Sequence, residues 1–127
     1  MDKFEALNEL SKQIYAANKE KGFWDKKRNV GEMLMLVTSE LGEAMEAHRK
    51  GRFANFSAFK AREEDVEIFY FESDFQDLIK DSFQDEIADA IIRLLDMCGG
   101  LNIDIAKSVE LKLKYNATRE RMHGKLY

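Results

Sequence analysis

Apolar residues recur at helical spacing in four segments of the chain. In the first, about residues 2–19, they fall every three or four positions and form one stripe. In the second, Asn29 and Glu32 have the spacing of a capping box, and Gly51 follows the last apolar position. Both segments therefore predict amphipathic helices, each with one apolar face for a shared core.

Two more helices are predicted in the second half of the chain. The third begins near Asp81 or Ser82 and ends at the glycine pair 99–100. The fourth begins after Asn102 or Asp104 and continues towards Met122. Together the four segments predict an all-α fold, a four-helix bundle with an elaborated connection between helices 2 and 3.

The connection between helices 2 and 3 spans residues 52–80 and has no single period. Its stretch VEIFYFE, residues 66–72, is β-branched and aromatic with loose alternation, which allows a short strand or hairpin. The following FQDLIKDSF, residues 75–83, is more helical in pattern. We expect a long connection with local structure of its own, of the kind that is often functional or part of an oligomer contact.

Length and composition narrow the class of protein. The 127 residues fit one domain, 1–127, and the lack of proline favours long helices. The net charge of −4 gives no basic surface for a nucleic acid polymer. A single cysteine, no apolar signal core and no run of membrane-spanning length predict a cytoplasmic protein without a membrane partner.

Helix 2 carries glutamates beside its apolar stripe. Projection at about 100° per residue places Glu40 at the margin of the inward face, Glu43 just beyond it, and Glu46 well outside. Glu40 and Glu43 thus form an acidic pair at the edge of the core, whereas Glu46 is expected in solvent. The predicted inward residues are Met33, Val37, Leu41, Ala44 and His48.

Helix 3 repeats this arrangement in the stretch DEIADAIIRLL. Glu86 falls at the margin of the apolar stripe, and Asp89 lies one step further round the helix. Asp85 and Asp96 are predicted to point away from the stripe. Two helices therefore each present an acidic pair at the edge of the core.

The two acidic pairs suggest a metal site. Four carboxylates brought together repel one another, and burying them unpaired costs free energy or raises their pKa values. A hard divalent cation removes that cost, and Mg²⁺ or Mn²⁺ prefers oxygen ligands. Iron is disfavoured, because a di-iron bundle uses Glu-x-x-His pairs and Met45 stands three residues before His48. The alternative, that these acids are ordinary solvated helix edges, stays open at this point.

The predicted fourth helix changes from apolar to polar along one stripe. After Ile105 and Val109, the same face carries polar residues at i, i+4, i+7 and i+11. These residues are Lys112, Asn116, Arg119 and His123. A cationic face suits an anion bound beside a metal, whereas a helix that leaves the bundle for solvent gives the same pattern.

These segments together resemble a known family. SELGEAMEA, then about forty residues later DEIADAIIRLLDMCGG, then KLKYNATRERMHGKLY, is similar to the MazG-like branch of the all-α nucleoside triphosphate pyrophosphohydrolases. That superfamily also contains the dimeric dUTPases and the dCTP pyrophosphatases. The resemblance covers nearly the whole chain, from NKEKGFWD to HGK, and is weakest across residues 52–80.

The resemblance implies that the two acidic pairs form the metal site and the catalytic centre. One departure is Ser39, because the family pattern often has a second glutamate at that position. The ligands survive this change, but catalytic competence and the number of metal ions held depend on it. Mg²⁺, with Mn²⁺ as a substitute, would be coordinated by Glu40, Glu43, Glu86 and Asp89.

An aromatic pair after helix 1 is a candidate for binding the base, and the resemblance implies further substrate-binding residues. Trp24, with Phe23, is a candidate stacking surface for the base, and the alternative is that Trp24 caps the core. Family members are typically dimers or tetramers, so a homodimer or homotetramer is expected. The phosphates or base would be contacted by Lys112, Asn116, Arg119 and Lys125.

The implied reaction is hydrolysis of a nucleoside triphosphate to the monophosphate and pyrophosphate, by attack of water at the α-phosphorus. Glu40 or Glu43 would position or deprotonate that water. Lys112 and Arg119 would counter charge on the departing pyrophosphate. The competing hypothesis is a non-catalytic module, either a helical oligomerisation module or a regulatory module that binds nucleotides without hydrolysing them.

Overall fold

The described part of the chain is built from helices. A computed structural model describes residues 2–119 and 121–126, with Arg121 and His123 described by their backbone alone, and these residues contain no strand. The all-α prediction is confirmed. None of the described helices combines the length and the apolar character that a membrane span requires. The elements are α1 (Glu5–Glu20), α2 (Val30–Arg49), α3 (Phe56–Glu63), α4 (Phe71–Leu78), α5 (Phe83–Gly100), α6 (Ile105–Ala117) and a 3₁₀ turn (Arg121–Gly124).

The four predicted helices correspond to α1, α2, α5 and α6. Asn29 caps α2 as expected, because its side-chain oxygen accepts the N–H of Glu32 at 3.0 Å. The last helix is shorter than predicted and ends at Ala117. Thr118 follows it and donates its hydroxyl to the carbonyl of Tyr115 at 2.7 Å, a local hydrogen bond that competes with continuation of the helix.

The possible strand at residues 66–72 is absent, and a turn takes its place. The N–H groups of Ile68 and Phe69 donate to the carbonyl of Asp65 at 3.2 and 2.9 Å. The N–H of Tyr70 then donates to the Asp74 carboxylate at 2.9 Å, and α4 begins at the next residue. Local hydrogen bonds to the Asp65 carbonyl and the Asp74 carboxylate thus outweigh the β-propensity of the stretch.

The chain divides into two compact units, Met1–Lys27 with Leu95–Tyr127, and Arg28–Leu94, so that α5 begins in the second unit and ends in the first. In the first unit, α1 packs against α6. Asn8 ties the two helices together: its amide nitrogen donates to Asp104 at 2.9 Å and its oxygen accepts the N–H of Ala106 at 3.0 Å. The prediction of a single domain stays a prediction.

The last turns of α5 pack closely on the rest of the first unit. Ser11 donates its hydroxyl to the carbonyl of Leu95 at 2.6 Å. A Cβ added at Gly99 would lie 2.6 Å from Cβ of Tyr15, and one added at Gly100 would lie 2.1 Å from the ring of Trp24. The glycine pair therefore allows two aromatic side chains to approach the helix backbone.

In the second unit, α2 and the first part of α5 run antiparallel. At one end, the N–H of Phe83 donates to the carbonyl of Arg52, just after α2, at 2.8 Å. Two to three turns further along α5, Arg93 donates Nε to Glu40 of α2 at 2.9 Å. These contacts place the acidic residues of the two helices on facing surfaces.

The inward face of α2 is narrower than predicted. Met33, Val37 and Ala44 are buried as expected. Leu41, however, is 50% exposed, and His48 is exposed although its ring contacts aromatic neighbours. The apolar stripe of α2 is thus only partly covered within the chain.

Residues 52–80 form a compact helical hairpin, α3 and α4. Arg62 on α3 donates to Asp74 at 3.0 Å and to Asp77 at 2.8 Å, both on α4. The ring of Phe59 meets Phe71 edge-on, with centroids 6.1 Å apart. The long connection therefore has structure of its own, and its second helix, α4, ends shortly before α5 begins.

Candidate metal centre

Helices α2 and α5 bring three carboxylates together. Glu40, Glu43 and Glu86 each offer an oxygen, and these three atoms lie within 4.8 Å of one another. Glu40 and Glu43 are three residues apart on α2, so they share one side of that helix. Glu40 and Glu86 are buried, whereas Glu43 is exposed to solvent. One cation placed between the helices would contact all three groups.

Glu86 is the least solvated member of the cluster. Glu86 is only 5% exposed, and its Oε2 has no hydrogen-bond partner among the described residues. Burial, then hydrogen bonding to Glu43 and Glu40 and repulsion by neighbouring carboxylates, raises the pKa of Glu86 to about 8. Without a cation, this carboxyl therefore keeps its proton at neutral pH.

Glu40 has the opposite protonation behaviour because it has a cationic partner. Burial by itself raises the pKa of Glu40, but the hydrogen bond from Arg93 and contacts with Glu86 and Glu43 hold the pKa below its ordinary value. Arg93 was not among the predicted site residues. Its signal in the sequence is a charged residue inside the apolar run IIRLL, seven positions after Glu86 on the same helix face.

Asp89, the fourth predicted ligand, is not part of the group of three. Its pKa is raised by burial, then by repulsion from Asp85 and Glu40, so its carboxylate lies within electrostatic reach of the cluster. Asp85 was predicted to point away from the apolar stripe and was not among the predicted ligands, but it takes part in a second acidic group beside Glu86. Asp85, Asp81 and Glu86 offer oxygens that lie within 4.8 Å of one another.

Asp96 is also placed differently from the prediction, in the first unit. It is buried and accepts the indole N–H of Trp24 at 2.9 Å. The Trp24 ring lies against Gly100 and meets Tyr15 edge-on, with centroids 5.2 Å apart. These contacts fix Trp24 in the packing of α1 and α5, and stacking of a nucleotide base on it stays a prediction.

The predicted phosphate-binding residues lie in the first unit and do not share one helix. Lys112 and Asn116 lie on α6, whereas Arg119 and Lys125 follow its end, so the predicted continuous stripe is wrong beyond Ala117. The side chain of His123 lies outside the described residues. The Asn116 oxygen is buried, with no hydrogen-bond partner in the part of the chain that the structure describes.

Two of these cationic groups lie near the ring of Tyr115. Lys112 Nζ lies 5.3 Å from the ring centroid, and the guanidinium carbon of Arg119 lies 5.6 Å from it. Contact with an aromatic face attracts a cation without neutralising its charge. The two positive groups are therefore concentrated on one part of the surface.

The donor set of the cluster fits a hard divalent cation. All three groups offer carboxylate oxygens, and no histidine or cysteine belongs to the cluster as the structure describes it. The buried oxygen of Glu86 without a partner is the kind of group that a cation satisfies. Mg²⁺ and Mn²⁺ both prefer such ligands, and the sequence prediction of either ion agrees with the chemistry of the site.

The fold and site define a helical protein with a carboxylate cluster shared between two helices. Comparisons of the chain with protein-family models, with curated proteins and with solved structures gave no match. Membership of the MazG-like family therefore stays a prediction that depends on the residues described above.

Proposed function

We propose that the chain is a Mg²⁺-dependent nucleoside triphosphate pyrophosphohydrolase that converts a (d)NTP and water to the (d)NMP and pyrophosphate. The observation that carries the proposal is the cluster of Glu40, Glu43 and Glu86, drawn from two helices and partly buried. The resemblance in sequence supplies the reaction class, and it implies that the four longer helices form a bundle. The cytoplasm is the proposed location, with free nucleotides and no nucleic acid polymer as substrates.

In this proposal Glu40, Glu43, Glu86 and Asp89 hold Mg²⁺, and the ion, when bound, neutralises phosphate charge and acidifies water. Arg93 fixes one oxygen of Glu40 at 2.9 Å and keeps that carboxylate ionised. Glu43 is the exposed member of the cluster, so it is the residue best placed to orient and deprotonate water. Glu86 becomes a charged ligand when its carboxyl loses the proton, and its Oε2, which has no partner among the described residues, is available to the cation.

The substrate's phosphates are assigned to the cationic residues of the first unit, following the resemblance. The support for this assignment is the pair of cations held against the ring of Tyr115. Such groups bind pyrophosphate oxygens and counter their charge as the bond to the α-phosphorus breaks. The residues are Lys112, Asn116, Arg119 and Lys125.

We also propose a homodimer or homotetramer. The support is the uncovered stripe of α2, where Leu34, Leu41 and Met45 are 46%, 50% and 56% exposed. Apolar side chains in a row on one helix face mark an interaction surface more often than a free surface. The same stripe favours the second candidate, a helical oligomerisation or regulatory module without turnover.

The decisive assay incubates the purified protein with a panel of NTPs and dNTPs and Mg²⁺. Phosphate is measured with and without added inorganic pyrophosphatase, so that pyrophosphate and orthophosphate are distinguished. Glu43→Gln and Glu86→Gln are expected to abolish pyrophosphate release, because each removes a carboxylate that would coordinate the cation. Retained helicity by circular dichroism excludes unfolding as the cause.

Glu46→Gln is the matched control for this assay. Glu46 lies on the same helix, outside the cluster, and pairs with Lys50 at 3.2 Å in solvent. This variant is expected to keep full activity. Orthophosphate as the direct product, or activity unchanged in both cluster variants, contradicts the proposal. Nucleotide binding without any turnover favours the regulatory module.

A further inference from the structure

A cleft lies next to the carboxylates, within the second unit. Its volume is about 380 Å³, and it is lined by α4, the turn after α4 and the start of α5. Its aromatic residues are Phe71 and Phe75, and its polar and charged residues are Glu72, Gln76, Lys80, Asp81, Asp85 and Asp89. The cleft therefore joins an aromatic wall to the edge of the candidate metal centre.

The aromatic residues of the cleft hold the Phe71 ring in place and leave much of it exposed. Phe71 and Phe75 are stacked, with centroids 5.9 Å apart and an interplanar angle of 29°. Phe59 meets Phe71 edge-on and supports it from α3. Phe71 is nevertheless 62% exposed. A planar group entering the cleft thus meets a ring already held in position, which lowers the entropy cost of stacking.

The aspartates that line the cleft connect it to the candidate cation site. Asp85 and Asp81 line the cleft and offer oxygens within 4.8 Å of one from Glu86. Glu86 is the buried residue whose Oε2 lacks a partner among the described residues. Asp89 lines the same cleft and forms the predicted ligand pair with Glu86. A ligand in this cleft therefore lies beside any cation that the carboxylates hold.

Size and chemistry point to one nucleoside. Ligand pockets start at about 300 Å³, so the cleft suits a single nucleoside and is too small for a polymer segment. The phenylalanine faces suit a planar aromatic base. The Gln76 amide offers both a donor and an acceptor, the combination that pairs with the polar edge of a base.

We propose that this cleft binds the base of the nucleoside triphosphate, with Phe71 as the stacking surface and Gln76 as the residue that reads the base edge. The proposal rests on the proposed function of the neighbouring carboxylates. It assigns recognition of the base to the 52–80 segment and not to Phe23 and Trp24.

The test measures binding, so that it does not depend on turnover. Calorimetry in Mg²⁺ compares two ligands on each variant: a non-hydrolysable α,β-imido nucleoside triphosphate and inorganic tripolyphosphate, which has no base. Phe71→Ala is expected to weaken nucleotide binding by about tenfold or more and to leave tripolyphosphate binding unchanged. Gln76→Leu is expected to reduce the difference in affinity between nucleotides that carry different bases.

Three further variants make the result specific. Phe56→Ala is the matched control, because Phe56 is similarly exposed, at 56%, and does not line the cleft. It is expected to bind both ligands as the wild type does. Phe71→Leu keeps apolar bulk and should weaken nucleotide binding, whereas Phe71→Tyr keeps the ring and should retain it.

Several results would overturn the inference alone. One is equal nucleotide affinity in Phe71→Ala and Phe56→Ala, and another is an equal loss of affinity for both ligands in Phe71→Ala. A third is a loss of nucleotide affinity in an additional variant, Phe23→Ala, with no loss in Phe71→Ala. If Phe71→Ala weakens the binding of spermidine but not that of the nucleotide, the cleft is an organic-cation site instead. If the wild type binds neither tripolyphosphate nor nucleotide in Mg²⁺, the proposed function itself fails.

Discussion

At the residue scale, the central feature is a set of acids with opposed protonation behaviour. Arg93 keeps Glu40 ionised, while burial keeps the proton on Glu86. Helical projection led to the prediction that Glu40, Glu43, Glu86 and Asp89 would meet, and the structure groups the first three of them. The same projection could not predict Arg93 as a partner of Glu40. That contact depends on the register of two helices far apart in sequence.

Glu86 makes stability depend on pH. Its pKa rises from 4.5 to about 8 on folding, so between these values the folded chain holds a proton that the unfolded chain has lost. The contribution of Glu86 to stability is therefore most favourable below pH 4.5, falls as the pH rises, and levels off above about 8. Glu86→Gln stays neutral and should remove this decline.

Thermal unfolding of the wild type and Glu86→Gln across this pH range measures the effect. The melting temperature of the wild type should fall relative to that of the variant as the pH rises. Saturating Mg²⁺ should reduce the fall, because a cation replaces the proton. Parallel pH profiles for the two proteins without metal would show that Glu86 does not carry the shifted pKa.

At the element scale, periodicity predicted α1, α2, α5 and much of α6, because each long helix repeats its apolar residues on one face. It was weaker for the short elements, because it did not locate α3 and indicated only the second half of α4. The β-branched and aromatic residues of VEIFYFE favoured a strand, yet hydrogen bonds to Asp65 and Asp74 decide the local structure. Asp96 was misplaced because projection of one helix does not show which neighbour, in this case Trp24, packs on its other side.

The glycine pair of α5 gives a prediction about helix packing. Gly100→Ala places a Cβ 2.1 Å from the Trp24 ring, which must move. We expect a loss of about 1–3 kcal/mol in the free energy of unfolding, as for other overpacked sites. Urea unfolding followed by Trp24 fluorescence measures both the loss and the movement of the indole.

Gly42→Ala is the matched control for that substitution. Gly42 also lies within a helix, but an added Cβ there would meet no atom of the described chain within 4 Å. Better helix propensity should raise its stability by roughly 0.5–1 kcal/mol. Equal effects at the two glycines would contradict the close approach of Trp24 to α5.

At the scale of the whole molecule, the exposed stripe of α2 is the feature that a single chain does not explain. Leu41 was predicted to be inward, and it is half exposed. The prediction used only the pattern of one chain, in which a face for the core and a face for a second copy look alike. The homo-oligomer proposed above accounts for both observations.

Leu41→Glu tests the proposed oligomer. A charge in the middle of an apolar interface is costly to bury, so the variant should have a smaller mass than the wild type. Size-exclusion chromatography with light scattering measures the mass directly. Glu46→Gln, on the solvent face of the same helix, should leave it unchanged. A wild-type mass equal to that of one chain would contradict the oligomer.

The claim on which the whole account depends is that the carboxylates of α2 and α5 hold a divalent cation. Mn²⁺ titration followed by electron paramagnetic resonance counts bound ions directly, with Mg²⁺ added as competitor. The account predicts saturable Mn²⁺ binding that Mg²⁺ displaces, weakened more than about tenfold in Glu43→Gln and Glu86→Gln and unchanged in Glu46→Gln. Equal Mn²⁺ affinity in all four proteins would contradict it.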